Sequence, residues 1–162
     1  DNEPCPFDFH VTRREQASWL TAAYRAARAE RVACELELEP AALGRPVREL
    51  SKGMTQKLGL AACFLAEKDF YLLDEPMSGL DPASRIAVKA ILARLSREGR
   101  TLFFTSHVLA DVDELCTAIA VLDAGRIRFH GAPRELCARH GESSLERAFL
   151  KCVRGETAAA AA

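Results

Sequence analysis

Two adjacent carboxylates, Asp74 and Glu75, stand at the end of the apolar run "FYLLD", and a third, Asp81, follows in "SGLDP". Carboxylates at the end of a segment committed to burial need a reason to be there, because a buried charge without a partner is costly. Two at one strand end allow a division of labour. One can hold a magnesium ion, usually through water, since a hard cation takes oxygen ligands. The other can polarise a water for attack on a phosphoryl group. Ser106 and His107 follow a second apolar run, "TLFF" at 101–104, which places His107 to touch the same phosphate or to orient that water. The third piece is "LSKGMTQ", residues 50–56. Ser51 and Gly53 immediately before a helix form an anion site, where backbone N–H groups point outward and the helix dipole adds partial positive charge. Gly53 lets the backbone come close to a phosphate, and Lys52 adds charge. Each piece alone has a plainer reading: solvated caps, an ordinary helix start, a packed histidine. Together, and in this order, they point to phosphate chemistry.

Elements must place these residues. Thr12 and Glu15 have the spacing of a capping box, and Leu20, Ala23, Tyr24 and Ala27 recur at helical spacing, so residues 12–30 are expected to be an amphipathic helix with Trp19 at its edge. The segment "RVACELELEPAALGRP" admits a second short helix ending near Gly44, before Pro46. Ser51 caps a helix whose expected apolar face is Leu58, Ala61, Ala62 and Leu65. "FYLLD" has the length and continuous apolarity of a parallel strand covered on both faces. Asp81 and Pro82 suit an N-cap and first helical residue. Val88, Ile91, Leu92 and Leu95 form that helix's stripe, and Gly99 ends it. "TLFF" is expected to be a second buried strand, followed by a helix carrying Val108, Val112 and Leu115. "AIAVLDAGRIRFHG" has the pattern of a hairpin turning at Asp123 to Gly125, and two short helices close the chain. Strand–helix alternation of this kind makes an α/β fold with a mainly parallel sheet flanked by helices, beside a helical opening third. Ligands in such folds bind at the carboxyl ends of the strands, where Asp74, Glu75 and His107 fall.

Composition narrows the function classes. The 162 residues are 49% hydrophobic and 28% charged, with a net charge of −1, so no global basic field exists to hold nucleic acid or an anionic membrane surface. The longest apolar run, "LGLAACFLA" at 58–66, falls far short of the roughly 20 residues that span a bilayer. The opening "DNEPCPFDFH" lacks the pattern of a secretion signal. Six scattered cysteines without a C-x-x-C pair suit neither a zinc site nor a disulfide scaffold. Cys63 and Cys116 have the setting of small core residues.

The ordered motifs resemble those of one family, the nucleotide-binding domains of ABC (ATP-binding cassette) transporters. "LSKGMTQ" resembles its signature loop, LSGGQ. "FYLLDEP" resembles its Walker B strand, "SGLDP" its D-loop and "TSH" its switch-histidine loop, and "AVLDAGRIRFHG" with "APREL" resembles the strands and helix that follow. The likeness runs from about residue 3 to 150. It implies a P-loop NTPase-like fold in which residues 1–50 hold the Q-loop region and helical subdomain. Residues 51–157 then hold the signature helix, Walker B, D-loop, H-loop and the C-terminal part of the ATPase core, and 158–162 are a low-complexity alanine tail. It also implies ATP and Mg2+ as ligands, with Asp74 on magnesium, Glu75 as general base and His107 as the γ-phosphate sensor. Asp81 would lie at a dimer interface, while Ser51, Lys52 and Gly53 would face ATP held by a second nucleotide-binding domain. The implied partners are that domain and a transmembrane permease, with no nucleic acid, and the implied location is the cytoplasmic face of the cell membrane. The wording "SKGMTQKL" with "LLDEPMSGLDP" is most similar to exporter-type subunits.

Departures qualify the resemblance. Lys52 replaces the first glycine of the signature pair and Met54 its glutamine. The Q-loop glutamine is not evident: counting back from "HVT" puts Glu3 in its place, or Asp1 if the loop is longer. No G-x-x-x-x-G-K-[ST] loop, which cradles the β- and γ-phosphates, occurs in these residues. The expectation is therefore the C-terminal part of a transporter ATPase, inactive alone. Its sheet edge should be uncovered, and the chain aggregation-prone or marginally stable. The alternatives are a non-hydrolysing half-cassette that lends the signature loop in trans, and a non-transport ABC ATPase.

Overall fold

The computed structural model describes residues 26–155. Most of the expected helix 12–30, its Thr12/Glu15 cap, Trp19, Asp1, Glu3 and the alanine tail lie outside them. Two compact units make up the described residues: one ends at Lys68 and takes back Gly79–Ala87, and the other comprises Asp69–Ser78 and continues from Val88.

In the first unit, residues 26–35 are helical (α1), five residues past the expected end at 30. Glu37, with φ of 54°, turns the chain after it. The segment with the open reading forms two short 3-10 helices, Pro40–Gly44 and Val47–Glu49, the first ending at Gly44 as the sequence suggested. Helix α2 follows at Lys52–Leu65. Ala33, Leu38 and Ala42 form the unit's core, with Leu50, Met54 and Leu58 packed against it. The inward face of α2 is the expected one in part: Ala61 is buried and Leu58 packs against that core. Leu60, Ala61 and Phe64 are buried, whereas Ala62 is exposed. The apolar residues of α2 surround most of the helix, so periodicity left its orientation open and the larger Phe64 took the buried place.

In the second unit, β1 (Phe70–Leu73) pairs in parallel with β2 (Thr101–Phe104), Leu72 opposite Phe103 and Leu73 opposite Phe104. Helix α3 (Pro82–Arg97) begins in the first unit and continues in the second, where its expected stripe Val88, Ile91, Leu92 and Leu95 is buried. The expected two-sided burial of the strands is not found. Tyr71 and Leu73 are buried, but Phe70, Leu72 and Phe103 on the other face are 55%, 68% and 54% exposed. An all-apolar strand carries no mark of which face is covered, and among the described residues only one is.

Helix α4 spans Leu109–Leu115, with Val108 as its N-cap. Lys89 on α3 is ion-paired with Glu114 and lies 3.4 Å from the buried Asp111, tying α4 to α3. Strands β3 (Ile119–Asp123) and β4 (Arg126–Gly131) form the expected antiparallel hairpin. Its two-residue turn puts Ala124 and Gly125 at φ 47° and 74°, the left-handed pair that matches strand twist and that glycine accepts freely. A bulge at Val121/Leu122 leaves Arg128 with no residue opposite it in the strand register, and its side chain reaches across to Asp123 on β3. The described strands thus form two separate two-stranded sheets, one parallel and one antiparallel: the α/β class holds, with a smaller parallel share than the sequence suggested. Helices α5 (Pro133–His140) and α6 (Leu145–Arg154) cover the hairpin. Val121, Phe129, Leu136, Leu145, Ala148 and Cys152 form the core there. The five described cysteines are all free thiols. Cys63 and Cys116 are half-buried, and burial pushes both thiols up, keeping them protonated.

Candidate functional site

The candidate residues fall into two groups, one in each unit. In the second unit the parallel register brings the ends of β1 and β2 side by side, and the Thr105 N–H continues the ladder to the Leu73 carbonyl at 3.0 Å. Asp74 and Glu75 therefore emerge next to Thr105, Ser106 and His107. Thr105 Oγ1 donates to Asp74 Oδ1 at 2.5 Å and accepts from the Glu75 N–H at 2.9 Å. His107 Nδ1 lies 2.8 Å from Glu75 Oε1. With Glu75 ionised, the imidazole supplies the proton of that bond, because a carboxylate can only accept. The His107 side chain is 72% exposed and that of Glu75 37%, so both remain open to a ligand. Ser106 Oγ accepts from the Val108 N–H at 3.1 Å, turning the chain into α4 just after His107.

Glu75 has φ of 44°, a left-handed backbone uncommon for any residue but glycine. Pro76 and Met77 behind it are buried, and the Ser78 N–H closes a turn onto the Glu75 carbonyl at 3.0 Å.

In the first unit Ser51 is the N-cap of α2, its Oγ accepting from the Met54 N–H at 3.2 Å. That bond uses an oxygen lone pair and leaves the hydroxyl proton to donate. The Ser51 cap is as the sequence suggested, but Gly53 does not precede the helix: Lys52 and Gly53 are its first two residues, because the cap already lies at Ser51. A Cβ on Gly53 would come within 3.4 Å of the Gly79 carbonyl oxygen, and the Lys52 stem runs beside Gly79, so the start of α2 and the Gly79–Asp81 loop are in contact. Asp81 is the N-cap of α3. Its Oδ1 accepts from the Ser84 N–H at 3.0 Å and its Oδ2 from the Ser84 hydroxyl at 2.5 Å.

The Ser84 hydroxyl, then the Ser84 N–H and, at 4.0 Å, the Lys57 ammonium hold the Asp81 carboxyl below its ordinary range. A lowered folded-state value gives stability that is present above about pH 4 and lost as pH falls through that value. Asn retains capping ability, so Asp81→Asn should trail the wild type in urea midpoint at neutral pH, with the gap closing on acidification. A gap independent of pH would remove the charge from this account.

Sequence reasoning missed Thr105, Ser84 and Lys57. Thr105 was detectable as the hydroxyl residue between a strand end and Ser106-His107. Ser84 was detectable as the third residue after an Asp N-cap. Lys57 carried no local signal. Among the described residues no three His, Cys, Asp or Glu side chains cluster as a metal centre.

A family model described as "AAA domain, putative AbiEii toxin, Type IV TA system" matches residues 23–110. The chain is 42% identical over 92 residues to an uncharacterised ABC transporter ATP-binding protein of Synechocystis sp., covering 57% of this chain and 26% of that protein. It is 41% identical over 90 residues to a fluoroquinolones export ATP-binding protein of Mycobacterium tuberculosis, covering 56% and 30%. Its fold superposes on a solved ATP-binding subunit of an ABC transporter with a TM-score of 0.73 and 25% identity, over 92% of this chain and 65% of that one. The chain spans less than half the length of the curated relatives it matches. With more than half of its residues inside the matching model, the chain belongs to the AAA-domain family, and the relatives and the structural neighbour that it resembles are ATP-binding proteins of ABC transporters.

Proposed function

We propose that this chain is the portion of an ABC transporter ATP-binding subunit that carries the hydrolytic carboxylates and the signature loop, and that the whole protein drives export through a separate permease. The observation that supports this most is the cluster at the ends of β1 and β2, where Thr105 links Asp74 to Glu75 and His107 holds Glu75.

Asp74 would bind magnesium through the carboxylate that Thr105 orients. Bound magnesium would offset charge on the phosphate oxygens of ATP. Glu75 would accept a proton from the attacking water at the oxygen that His107 leaves open. His107 would hold that carboxylate in place and contact the γ-phosphate. In the first unit, the hydroxyl of Ser51, the Gly53 backbone and the Lys52 charge would face ATP bound by a second nucleotide-binding domain. Asp81 would stand at the interface with that domain. Glu3, outside the described residues, would take the Q-loop position. Residues 1–50 would form the Q-loop region and the helical subdomain that docks on the permease, and 51–157 the remainder of the core. No helix among the described residues is long and apolar enough to cross a membrane, so docking at the cytoplasmic face would rest on the permease. The relatives' names favour neither the half-cassette nor the non-transport alternative.

Phosphate release from ATP by the subunit assembled with its permease is the direct test. Turnover should require Mg2+ and vanish when a chelator removes it. Turnover unaffected by the chelator would overturn the metal assignment, and stimulation by DNA or ribosomes in place of the permease would favour the non-transport reading.

A further inference from the structure

Glu75 adopts a left-handed backbone, φ 44°, which a non-glycine residue keeps only where its surroundings over-determine it. Two contacts restrain it directly: the Thr105 hydroxyl accepts from its N–H at 2.9 Å, and the Ser78 N–H donates to its carbonyl at 3.0 Å. The same Thr105 oxygen donates to Asp74 Oδ1 at 2.5 Å. A hydroxyl has one proton and two lone pairs, and an ionised carboxylate can only accept. Thr105 Oγ1 is therefore committed in direction, giving its proton to Asp74 and a lone pair to Glu75. One atom sets the rotation of the Asp74 carboxylate and the orientation of the Asp74–Glu75 peptide, and through that peptide the aim of Glu75 at His107. Thr105 is itself anchored, because its own N–H extends the β1–β2 ladder to Leu73.

We infer that Thr105 is the positioning residue of this site, coupling the metal carboxylate to the base through its hydroxyl. The inference rests on the reading of Asp74 and Glu75 given above. Valine matches threonine in shape but lacks the hydroxyl. Thr105→Val leaves the Glu75 N–H without its acceptor and the Asp74 carboxylate free to rotate. Thr105→Ser keeps the hydroxyl and drops only the methyl group.

Two measurements on the intact subunit separate the possibilities: amide hydrogen exchange at Glu75, and binding of Mn2+ in the presence of ATP, followed by its electron paramagnetic resonance signal. Thr105→Val should speed exchange at Glu75 and weaken Mn2+ binding by about 10- to 100-fold, the loss typical of residues that orient a metal ligand. Thr105→Ser should restore both towards wild type. A Val variant that exchanges at the wild-type rate overturns the inference, as does a Ser variant no better than Val. If exchange behaves as expected but the wild type takes up no Mn2+, Thr105 still positions the Asp74–Glu75 peptide, and it is the metal role of Asp74 that falls.

Discussion

Glu75→Gln in the assembled subunit is expected to lower ATP turnover on the order of 10²- to 10⁴-fold, the contribution of a positioned general base, with ATP binding retained. Gln is close to Glu in size and keeps an oxygen that can accept from His107, so the backbone turn and its bonds to Thr105 and Ser78 need not change. What is lost is the negative oxygen that takes a proton from water. The substitution therefore isolates proton transfer from the geometry of the site. Phosphate release and ATP binding measured on the same preparation decide the matter. Turnover within a few-fold of wild type would remove Glu75 from the base role and direct attention to His107.

The largest effect on stability is expected from Leu136→Ala. Leu136 is fully buried among Val121, Phe129, Leu145, Ala148 and Cys152, where α5, α6 and the hairpin meet. Removing three carbons from such a position loses their transfer free energy and leaves a cavity that neighbours fill only in part, together about 2–5 kcal/mol. Whole domains are stable by roughly 5–15 kcal/mol, so this one change would remove a large share. Leu150 is the internal control. It lies on α6 and is 50% exposed, so Leu150→Ala should stay within about 0.5 kcal/mol of wild type. Urea denaturation of both variants checks the pair, and equal losses would mean that the core is not organised around Leu136.

Features decided by neighbours in the chain were legible in the sequence. Ser51 and Asp81 cap their helices because an Ser or Asp oxygen reaches an N–H three residues on, a distance that no distant contact has to supply. The β3–β4 hairpin follows from Asp123-Ala124-Gly125 between two apolar runs. The α3 stripe was readable because Val88, Ile91, Leu92 and Leu95 keep the i, i+3, i+4, i+7 spacing, and Ile86, off that spacing, stands exposed. The cluster of Asp74, Glu75 and His107 was expected from their places after two strands, and parallel pairing of those strands is what brings them together.

Other features were not legible, for identifiable reasons. Helix α2 is apolar on more than one side, so its period could not say whether Ala62 or Phe64 turns inward. The run "FYLL" is apolar throughout, so it could not say that Phe70 and Leu72 stand exposed while Tyr71 and Leu73 are buried. Lys57 and Asp81 are far apart in the chain, and their approach to 4.0 Å depends on how α2 and the loop before α3 fold together.

By itself, then, the sequence determined the order of the elements, the caps and turns, and the chemical types present at the strand ends, because each depends on residues within a turn or two of one another. Only the tertiary structure decided which face of each apolar element is covered and which groups complete the site. The left-handed turn at Glu75, and the single hydroxyl of Thr105 shared between two carboxylate-bearing residues, arise from the register of two strands about thirty residues apart in the chain, and no local pattern encodes that register.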